Sequence, residues 1–364
     1  MNRYFYYFTF VNMITNIITT VPIILIQSRK EGVIISMILS VVGGLVITYL
    51  LVKFFNAFPG EGLPEVLKKY MPKWLTTPLM IYIAITWFAA GLITLTTYSF
   101  LIKRFLTPDM RLSWIVICFL IFISYGILMK SKSVLYTLEI VFLSITPLIL
   151  LLIIKAYGSK DIEWDFVRES MMYIRHLPNY SAFTASLFIF LGPANLIIFN
   201  RVFTKKQFIK WKQILMLGAV GVFVLFTTYF VPIGFNGFEH IETIVYPWSM
   251  TSDSIRMPYG LVERVMYMFM LFFLAITFMS MLIHWHVAIE LFLNVIYFKR
   301  FKWKKHNLTP FLFVVLFWII TLKVVTYLTE PELVTATRYF FNVLPFSFSA
   351  LLIIFWLIKR RARI

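Results

Sequence analysis

The chain has 364 residues, of which 60% are hydrophobic and only 14% charged, and its mean hydropathy is +0.85. Soluble domains are about half apolar and a quarter charged, so this composition excludes a soluble globular protein and indicates an integral membrane protein. Apolar runs fill nearly all of it, which predicts a single membrane domain over residues 1–364. The first run has no small-residue cleavage site and is expected to remain as a helix.

The chemistry-bearing residue types are sparse. Cys118 is the only cysteine and lies in an apolar run, so no intramolecular disulfide is possible and we expect a buried, inert thiol. The sequence contains no metal-ligand spacing, no glycine-rich phosphate loop and no nucleophile–base–acid arrangement. We therefore expect no metal, no cofactor and no enzyme activity.

Ten apolar segments have the length of membrane spans, which need about 20 helical residues. They predict an all-α integral membrane protein with ten transmembrane helices. The predicted spans are residues 5–27, 33–53, 77–102, 112–129, 133–156, 182–203, 212–233, 259–293, 309–328 and 336–358.

The net charge of +18 is distributed unevenly between the loops of this arrangement. With the N-terminus inside, most lysines and arginines fall on the cytoplasmic side and most acids fall outside, as the positive-inside rule requires. Both termini are therefore expected to be cytoplasmic. The basic excess indicates topology and attraction to anionic membrane lipid, and it does not predict a nucleic-acid partner.

Three stretches outside the spans have patterns of their own. Residues 63–70 predict a short amphipathic helix on the inner surface. Residues 164–174 predict a helix lying on the outer face. The loop at 234–258 is rich in glycine, proline and aromatic residues and could cap an outward vestibule. Both outer stretches could equally be plain connectors.

Residues 190–195 interrupt the sixth span, because Gly192 and Pro193 stand side by side there. Proline lacks an N–H and glycine frees the backbone. In a bilayer, freed backbone groups need a protein partner or a bound ligand, so a break near the membrane centre predicts a binding site. A simple proline kink is the alternative.

The spans divide into two halves, residues 5–156 and 182–358, joined by an outer loop at 157–181. Five spans per half give the second half an inverted topology, and such transporters place their site where the first helix of each half is discontinuous. The first span has a matching polar run that ends in a helix breaker; its members are Asn12, Thr15, Asn16, Thr19, Thr20 and Pro22. We therefore predict a 5+5 inverted-repeat transporter fold with broken helices 1 and 6.

The ends of half-helices can hold both charges of an amino acid, since N–H groups face its carboxylate and carbonyls face its ammonium. Side chains near the two breaks and on the flanking third and eighth spans complete the predicted ligand site. Its members are Thr15, Asn16, Thr19, Gly91, Thr94, Gly192, Pro193, Asn195 and Tyr267. For the threonines and asparagines, hydrogen bonding between helices is the alternative.

Glu139 and Glu290 lie inside spans, where acids are costly and suggest function. Glu139 could pair with Lys130 or Lys132, or serve as a coupling acid. Glu290 lies four residues after His286 on one helix face, which permits a proton relay, although anchoring at the membrane interface is favoured.

With these spans and breaks placed, the chain resembles the spore germination permease family. These proteins are the B subunits of nutrient germinant receptors in endospore-forming bacteria, within the amino acid–polyamine–organocation transporter superfamily. The resemblance extends over essentially the whole chain. It is carried by residues 15–22, 59–74, 190–199 and 263–264.

Two positions depart from the pattern of this family. Thr15 and Asn16 stand where relatives tend to have a glycine. Asn195 stands where relatives often have an acid, which puts recognition of a ligand ammonium at that position in doubt. In sodium-coupled relatives of this architecture, small hydroxyls on the eighth helix help to hold an ion, and Thr277 and Ser280 could do so here.

The resemblance implies a subunit that binds a germinant, often an amino acid, and signals in a complex with an A subunit and a C lipoprotein. It also implies location in the spore inner membrane. Two alternatives remain open from the residues. One is an amino-acid transporter coupled to protons or sodium, and the other is a structural or channel-forming subunit without a small-ligand site.

Overall fold

The computed structural model of the chain describes residues 2–256, 264–298, 301–303 and 306–363. These ranges are helical apart from connecting turns and one short antiparallel hairpin of strands β1 (Lys302–Trp303) and β2 (His306–Asn307). The helices are α1 (Arg3–Thr15), α2 (Thr20–Gln27), α3 (Val33–Phe55), α4 (Leu63–Tyr70), α5 (Lys73–Phe105), α6 (Leu112–Ile127), α7 (Ser131–Tyr157), α8 (Trp164–Met171), α9 (Tyr180–Phe188), α10 (Leu196–Phe199), α11 (Trp211–Asn236), α12 (Pro247–Ser254), α13 (Val265–Val295), α14 (Thr309–Tyr327) and α15 (Glu330–Ala362).

Within the described ranges, eight helical segments are long and apolar enough to cross a membrane, and the bent pair α1–α2 brings the number to nine. The predicted span at 112–129 is the helix α6, which has 16 residues and is shorter than the roughly 20 that a bilayer needs. The protein is therefore a multi-pass helical membrane protein, and the structure itself accounts for eight or nine of the ten predicted spans.

The first predicted span is divided at residues 16–19, in the middle of its polar run. α1 ends at Thr15, α2 begins at Thr20, and the two helices are bent by 51° relative to each other. The hydroxyl groups of Thr20 and Thr97 lie 3.2 Å apart and connect α2 to α5. The direction of the first span thus changes beside the third span.

The sixth predicted span stays helical where a break was predicted. After α9 it tightens into a 3₁₀-helix at Ile189–Asn195, continues as α10, and ends in a second 3₁₀-turn at Asn200–Val202. Glycine and proline therefore change the pitch of this helix rather than separating two half-helices. In its most apolar window, 94% of the residues are buried, which places the segment at the centre of the bundle.

The short elements outside the spans agree with the sequence patterns. α4 has the bounds predicted for the amphipathic inner helix, and it buries Leu63, Val66 and Leu67. α8 and the 3₁₀-helix Met172–Arg175 occupy the region predicted for the outer helix. The loop after α11 contains a 3₁₀-helix at His240–Thr243 and the helix α12, and the predicted loop residues 257–258 lie outside the described ranges.

Both termini lie at one end of the molecule. The backbone N–H of Asn2 donates to Gln207 Oε1 at 2.6 Å, and Arg361 donates to the carbonyl of Tyr70 in α4 at 3.0 Å. We call this end, with α4 and residues 203–210, the basic face. The opposite face carries α8 and the loop after α11, where Glu163 N donates to the carbonyl of Gly234 at 2.9 Å.

The prediction of a buried thiol at Cys118 was wrong, because this side chain is exposed on α6. Its helix also exposes Ile121, Phe122 and Tyr125. In a membrane protein the outer surface is as apolar as the interior, so a cysteine in an apolar run can face lipid as readily as the core.

Candidate functional site

Pro193 removes one hydrogen-bond donor from the middle of the sixth span. In the 3₁₀ pattern of this segment the carbonyl of Phe190, three residues earlier, loses its donor, and the hydroxyl of Thr48 donates to this carbonyl at 3.4 Å. Just before this point, Asn12 of α1 donates through Nδ2 to the carbonyl of Ile189 at 3.1 Å and to that of Phe188 at 2.8 Å. These carbonyls are thus satisfied within the protein, as a low-dielectric environment requires. A ligand is not needed to stabilise them.

Gly192 brings the backbones of the first and sixth spans together. A Cβ atom at this position would lie 2.7 Å from Thr9 Cα and 3.0 Å from the carbonyl oxygen of Phe8. Both neighbours are backbone atoms of a helix and cannot rotate away. Glycine is therefore required for α1 to pack this closely against the 3₁₀-helix Ile189–Asn195.

Asn195, at the end of this 3₁₀-helix, is held by two hydrogen bonds. Its Nδ2 donates to the carbonyl of Gly192 at 3.0 Å, and its Oδ1 accepts a hydrogen bond of 2.8 Å from Nε1 of Trp87 in α5. An amide offers two N–H groups and one carbonyl, so one N–H of Asn195 is left for another partner. The residue is 3% exposed.

Asn195 lines a small cavity between five spans, with a volume of about 20 Å³. A space of this size holds about one water molecule. The walls are mainly aromatic and aliphatic, with a few polar groups. The lining residues are Asn12, Thr86, Trp87, Ala90, Phe188, Leu191, Ala194, Asn195, His284, Phe340, Leu344 and Phe348.

His284 is one of the residues that line this cavity. Its Nδ1 lies 2.7 Å from the carbonyl oxygen of Ser280, which can only accept, so Nδ1 carries the proton. In the neutral ring Nε2 is then an acceptor. Asn12 contributes a second acceptor, since within the described ranges no protein donor is bonded to its Oδ1. The site combines two acceptors with the remaining N–H of Asn195.

Two of the three site residues predicted in the first span form hydrogen bonds at the bend between α1 and α2, with each other and with the backbone, and none of the three lines the cavity. Asn16 Nδ2 donates to the carbonyl of Asn12 at 2.7 Å, and the hydroxyl of Thr19 donates to Asn16 Oδ1 at 3.1 Å. Thr15 Oγ1 is buried and has no hydrogen-bond partner among the described residues. These contacts satisfy most of the polar run locally.

On the third and eighth spans, the predicted residues serve helix packing or face outward. Gly91 admits the indole of Trp285, since a Cβ there would lie 2.3 Å from that ring. Thr94 donates to the carbonyl of Ala90 at 2.9 Å, and Tyr267 is 45% exposed. Among the predicted site residues, all of which the structure describes, only Asn195 lines the cavity.

Trp87 and His284 are the main cavity residues that sequence analysis did not select. Trp87 is an aromatic residue in an aromatic-rich helix, and nothing local indicates its partner 108 positions away. His284 lies two residues before His286, which was the histidine considered from the sequence. A histidine in a membrane span is a usable signal, because polar residues there face the bundle interior.

The candidates for ion or proton coupling are dispersed. Thr277 Oγ1 is buried without a partner among the described residues, and Ser280 lies beside His284. Glu139 forms an ion pair with Arg3 at 3.1 Å, not with the lysines expected for it. Within the described ranges, no three His, Cys, Asp or Glu side chains are placed to hold a metal ion.

Glu290 pairs with Arg201 at 2.7 Å, and Arg201 also binds Glu65 of α4 at 2.8 Å. We call these three residues the Arg201 bridge. His286 is bonded instead to Ser131 Oγ at 2.8 Å and to the carbonyl of Ile127 at 3.1 Å. The bridge joins the sixth and eighth spans to α4 at the basic face, which agrees with an anchoring role for Glu290.

At the opposite face, Arg29 joins the turn after α2 to the loop after α11. Its Nε donates to the carbonyl of Phe238 at 2.8 Å, and its guanidinium lies 2.6 Å from Glu242 and 3.3 Å from the carbonyl of Glu239. We call this group the Arg29 latch. The Arg29 side chain is only 3% exposed, so its guanidinium is buried between the turn and the loop.

A family of spore germination proteins matches residues 4–327 of the chain. The chain belongs to this family. A comparison with curated proteins finds no match. The match starts before the polar run and extends to the end of α14, so it includes all residues of the cavity except those of α15. The resemblance seen in the sequence is confirmed.

Membership in the spore germination protein family agrees with a bundle of long apolar helices. The sixth span contributes four residues to the lining of the cavity. Its most apolar window also has the largest buried fraction among the candidate spans. In the conformation described here, the Arg29 latch lies on one side of this cavity and the Arg201 bridge lies on the other.

Proposed function

We propose that this protein is the transporter-like membrane subunit of a spore germinant receptor, which binds a small nutrient and thereby triggers germination without catalysing a reaction. The observation that carries the proposal is the cavity at Asn195, in a chain of the spore germination protein family. The cavity lies between the first and sixth spans, where this proposal needs a ligand. In this role the chain works with an A subunit and a C lipoprotein in the spore inner membrane.

The proposal includes a fold of ten spans in a 5+5 inverted repeat, with both termini cytoplasmic. α6 then crosses the membrane despite its 16 residues, and the bilayer adjusts around it. The location of both termini at the basic face supports an even number of spans. The bent first span and the tightened sixth span are the opening helices of the two halves.

The cavity lining favours a ligand without net charge. Its twelve residues include no Asp, Glu, Lys or Arg, and aromatic rings form much of its wall. Burying a net charge without a partner is costly, so a zwitterionic amino acid with an apolar side chain suits this site better than a charged one. At about 20 Å³ the cavity is too small for such a ligand, so binding requires the walls to move apart. The differential affinity of the ligand for the expanded state can then drive signalling.

Thermal unfolding of the purified protein with a panel of amino acids, sugars and nucleosides tests this function. We expect apolar amino acids to raise the melting temperature of the wild type. Asn195→Leu and His284→Ala should remove the effect, whereas Tyr267→Phe, outside the cavity, should retain it. If no compound stabilises the wild type, and if both cavity variants alter germination only through protein abundance, a structural or channel subunit is the better assignment.

A second candidate function is ion-coupled amino-acid transport. It is favoured by Thr15 on α1 and Thr277 on α13, two of the eight buried hydroxyls that have no hydrogen-bond partner among the described residues. Hydroxyl oxygens suit a hard cation such as Na⁺. Uptake by proteoliposomes under an imposed ion gradient distinguishes the functions. Accumulation that Thr277→Ala uncouples from the gradient indicates transport, and ligand stabilisation without accumulation indicates sensing.

A further inference from the structure

Another cavity opens at the basic face, and it shares no lining residue with the cavity at Asn195. It lies between the C-terminal ends of α3 and α15 and the segment at 206–209, and its volume is about 400 Å³. Polar groups meet apolar side chains in its wall. The lining residues are Tyr49, Val52, Lys53, Asn56, Ala57, Lys206, Gln207, Phe208, Ile209 and Lys359.

Three of these residues are lysines, from three separate parts of the chain. Lys359 Nζ donates to the backbone carbonyl of Lys53 at 3.1 Å, so α15 and α3 are joined here through a cation. Lys53 Nζ lies 5.8 Å from the ring centre of Tyr49. In the described part of the chain, no carboxylate forms an ion pair with Lys53, Lys206 or Lys359. Three like charges around one cavity repel each other, and an anion between them removes this cost.

Asn56 adds an independent indication of a ligand. Its Oδ1 is buried and accepts no hydrogen bond from the described residues. A buried acceptor without a donor is costly, and because Asn56 lines the cavity, rotation of its amide can bring this oxygen to a hydroxyl group of a bound molecule. Gln207 differs, because its Oε1 accepts from Asn2 and its Nε2 donates to the carbonyl of Lys205.

The apolar surface beside the cavity indicates what carries the anion. On α3, Val42, Val46 and Tyr49 precede Lys53 at helical spacing, and all three are exposed, Val42 to 59%. On α15, Ile353 and Trp356 are each 60% exposed. Exposed apolar residues of a membrane protein face the acyl chains of lipids. Tyrosine and tryptophan near the end of a membrane span, such as Tyr49 and Trp356, are typical of the headgroup region. The cavity thus joins a lipid-facing surface to a cluster of cations.

We propose that this cavity binds the phosphate group of an anionic phospholipid, with Lys53, Lys206 and Lys359 around the phosphate and Asn56 accepting from a headgroup hydroxyl. The acyl chains lie along the exposed surfaces of α3 and α15. Because the site connects α3 and α15 to the segment that follows the sixth span, bound lipid stabilises the basic face of the bundle.

Protein purified in an uncharged detergent is titrated with phosphatidylglycerol, phosphatidylcholine, glycerophosphoglycerol or inorganic phosphate. The melting temperature and lipid retention in native mass spectrometry are recorded. We expect phosphatidylglycerol alone to stabilise the wild type and remain bound. Each lysine near an anionic headgroup contributes about 1 kcal/mol, so each Lys→Gln change should weaken binding about five-fold.

Lys206→Gln is the most informative variant. Within the described ranges the Lys206 side chain forms no hydrogen bond or ion pair, so the substitution removes its charge without breaking a contact inside the protein. Lys73→Gln is the matched control, since this lysine is exposed at the same face at the start of α5 and outside the cavity. Equal stabilisation by inorganic phosphate or glycerophosphoglycerol overturns the lipid assignment in favour of a soluble anion. Equal weakening by both substitutions shows non-specific attraction and overturns the site.

Discussion

Trp87 of α5 donates a hydrogen bond of 2.8 Å from Nε1 to Oδ1 of Asn195, at the end of the 3₁₀-helix in the sixth span. Asn195 in turn donates to the carbonyl of Gly192. The third span and the 3₁₀-helix Ile189–Asn195 are therefore connected through the side-chain amide of Asn195, which also lines the cavity. An indole donor is a suitable partner for a neutral amide, and this contact gives Asn195 a defined structural role.

The Trp87–Asn195 hydrogen bond predicts a measurable coupling between the two side chains. Trp87→Phe removes the donor and leaves a buried carbonyl oxygen, and Asn195→Leu leaves a buried indole N–H. We expect each change to lower the free energy of unfolding by about 0.6–2 kcal/mol, as for hydrogen bonds between membrane helices. The double variant should be less damaging than the sum, when thermal or denaturant unfolding is measured in detergent. Strictly additive losses would show that the bond contributes nothing.

Gly192 should not tolerate even one additional methyl group. Gly192→Ala places Cβ 2.7 Å from Thr9 Cα, and helix backbone must shift to relieve the contact. Overpacking of this kind costs about 1–3 kcal/mol. Gly43→Ala is the matched control in another span, because its nearest neighbour is a side-chain atom at 3.7 Å. Melting temperatures and membrane abundance should fall for the first variant and stay near wild type for the second. Similar losses in both would contradict the assigned contact.

The hydrogen bonds of Asn12 connect the first span to the sixth span just before Pro193. Asn12→Leu leaves the carbonyls of Phe188 and Ile189 without their side-chain donor. Hydrogen bonds between membrane helices contribute about 0.6–2 kcal/mol, and we expect a loss of unfolding free energy in this range. Pro193→Ala restores an N–H that bonds to the carbonyl of Phe190 in the 3₁₀ pattern, so Asn12→Leu should cost the same in that background. A double-mutant cycle by thermal unfolding measures this independence, and a smaller cost beside Pro193→Ala would contradict it.

The Arg29 latch should restrict access to the cavity from the opposite face. In a Cys118→Ser background, Ala194→Cys places a thiol on the cavity wall, where a water-soluble maleimide should react slowly. Adding Arg29→Gln removes a charge-assisted hydrogen bond worth about 1.5–3 kcal/mol, so labelling should accelerate about ten-fold or more. Lys30→Gln is the neighbouring control, since its exposed pair with Glu239 contributes little. Unchanged labelling after Arg29→Gln would show that the latch does not control access.

The Lys30–Glu239 pair at the same face predicts a simple pH dependence. The hydrogen bond from Lys30 lowers the pKa of Glu239, and the same bond raises the pKa of Lys30. Glu239 therefore contributes above its ordinary pKa of 4.5 and loses this contribution as pH falls through its lowered pKa. Lys30 loses its contribution as pH rises through its raised pKa. The difference in melting temperature between wild type and Lys30→Gln should stay constant near neutral pH and disappear in acid. A change centred at neutral pH would implicate another group.

Local patterns predicted the local elements well. α4 was predicted from its amphipathic spacing, a helix was predicted in the region of α8, and the polar run marked the bend between α1 and α2. The position of the irregular segment in the sixth span was predicted correctly. Its geometry was predicted as a break between two half-helices, whereas it is the 3₁₀-helix Ile189–Asn195. Glycine and proline show where a helix loses a backbone donor, and they do not show whether a distant side chain such as Thr48 will replace it.

Composition and hydropathy alone establish that this chain is a membrane protein with many helical spans, because the cost of burying polar backbone in lipid leaves few other structures. The sequence also shows that Gly192 and Pro193 interrupt the regular α-helix of the sixth span. Only the folded chain shows that Asn12, Thr9 and Trp87 contact this segment. It also shows that His284 lines the cavity and that Cys118 is exposed. Contacts between spans depend on which face of each helix meets its neighbour. In a bilayer the lipid-facing and buried faces are both apolar, so the sequence carries little record of that choice.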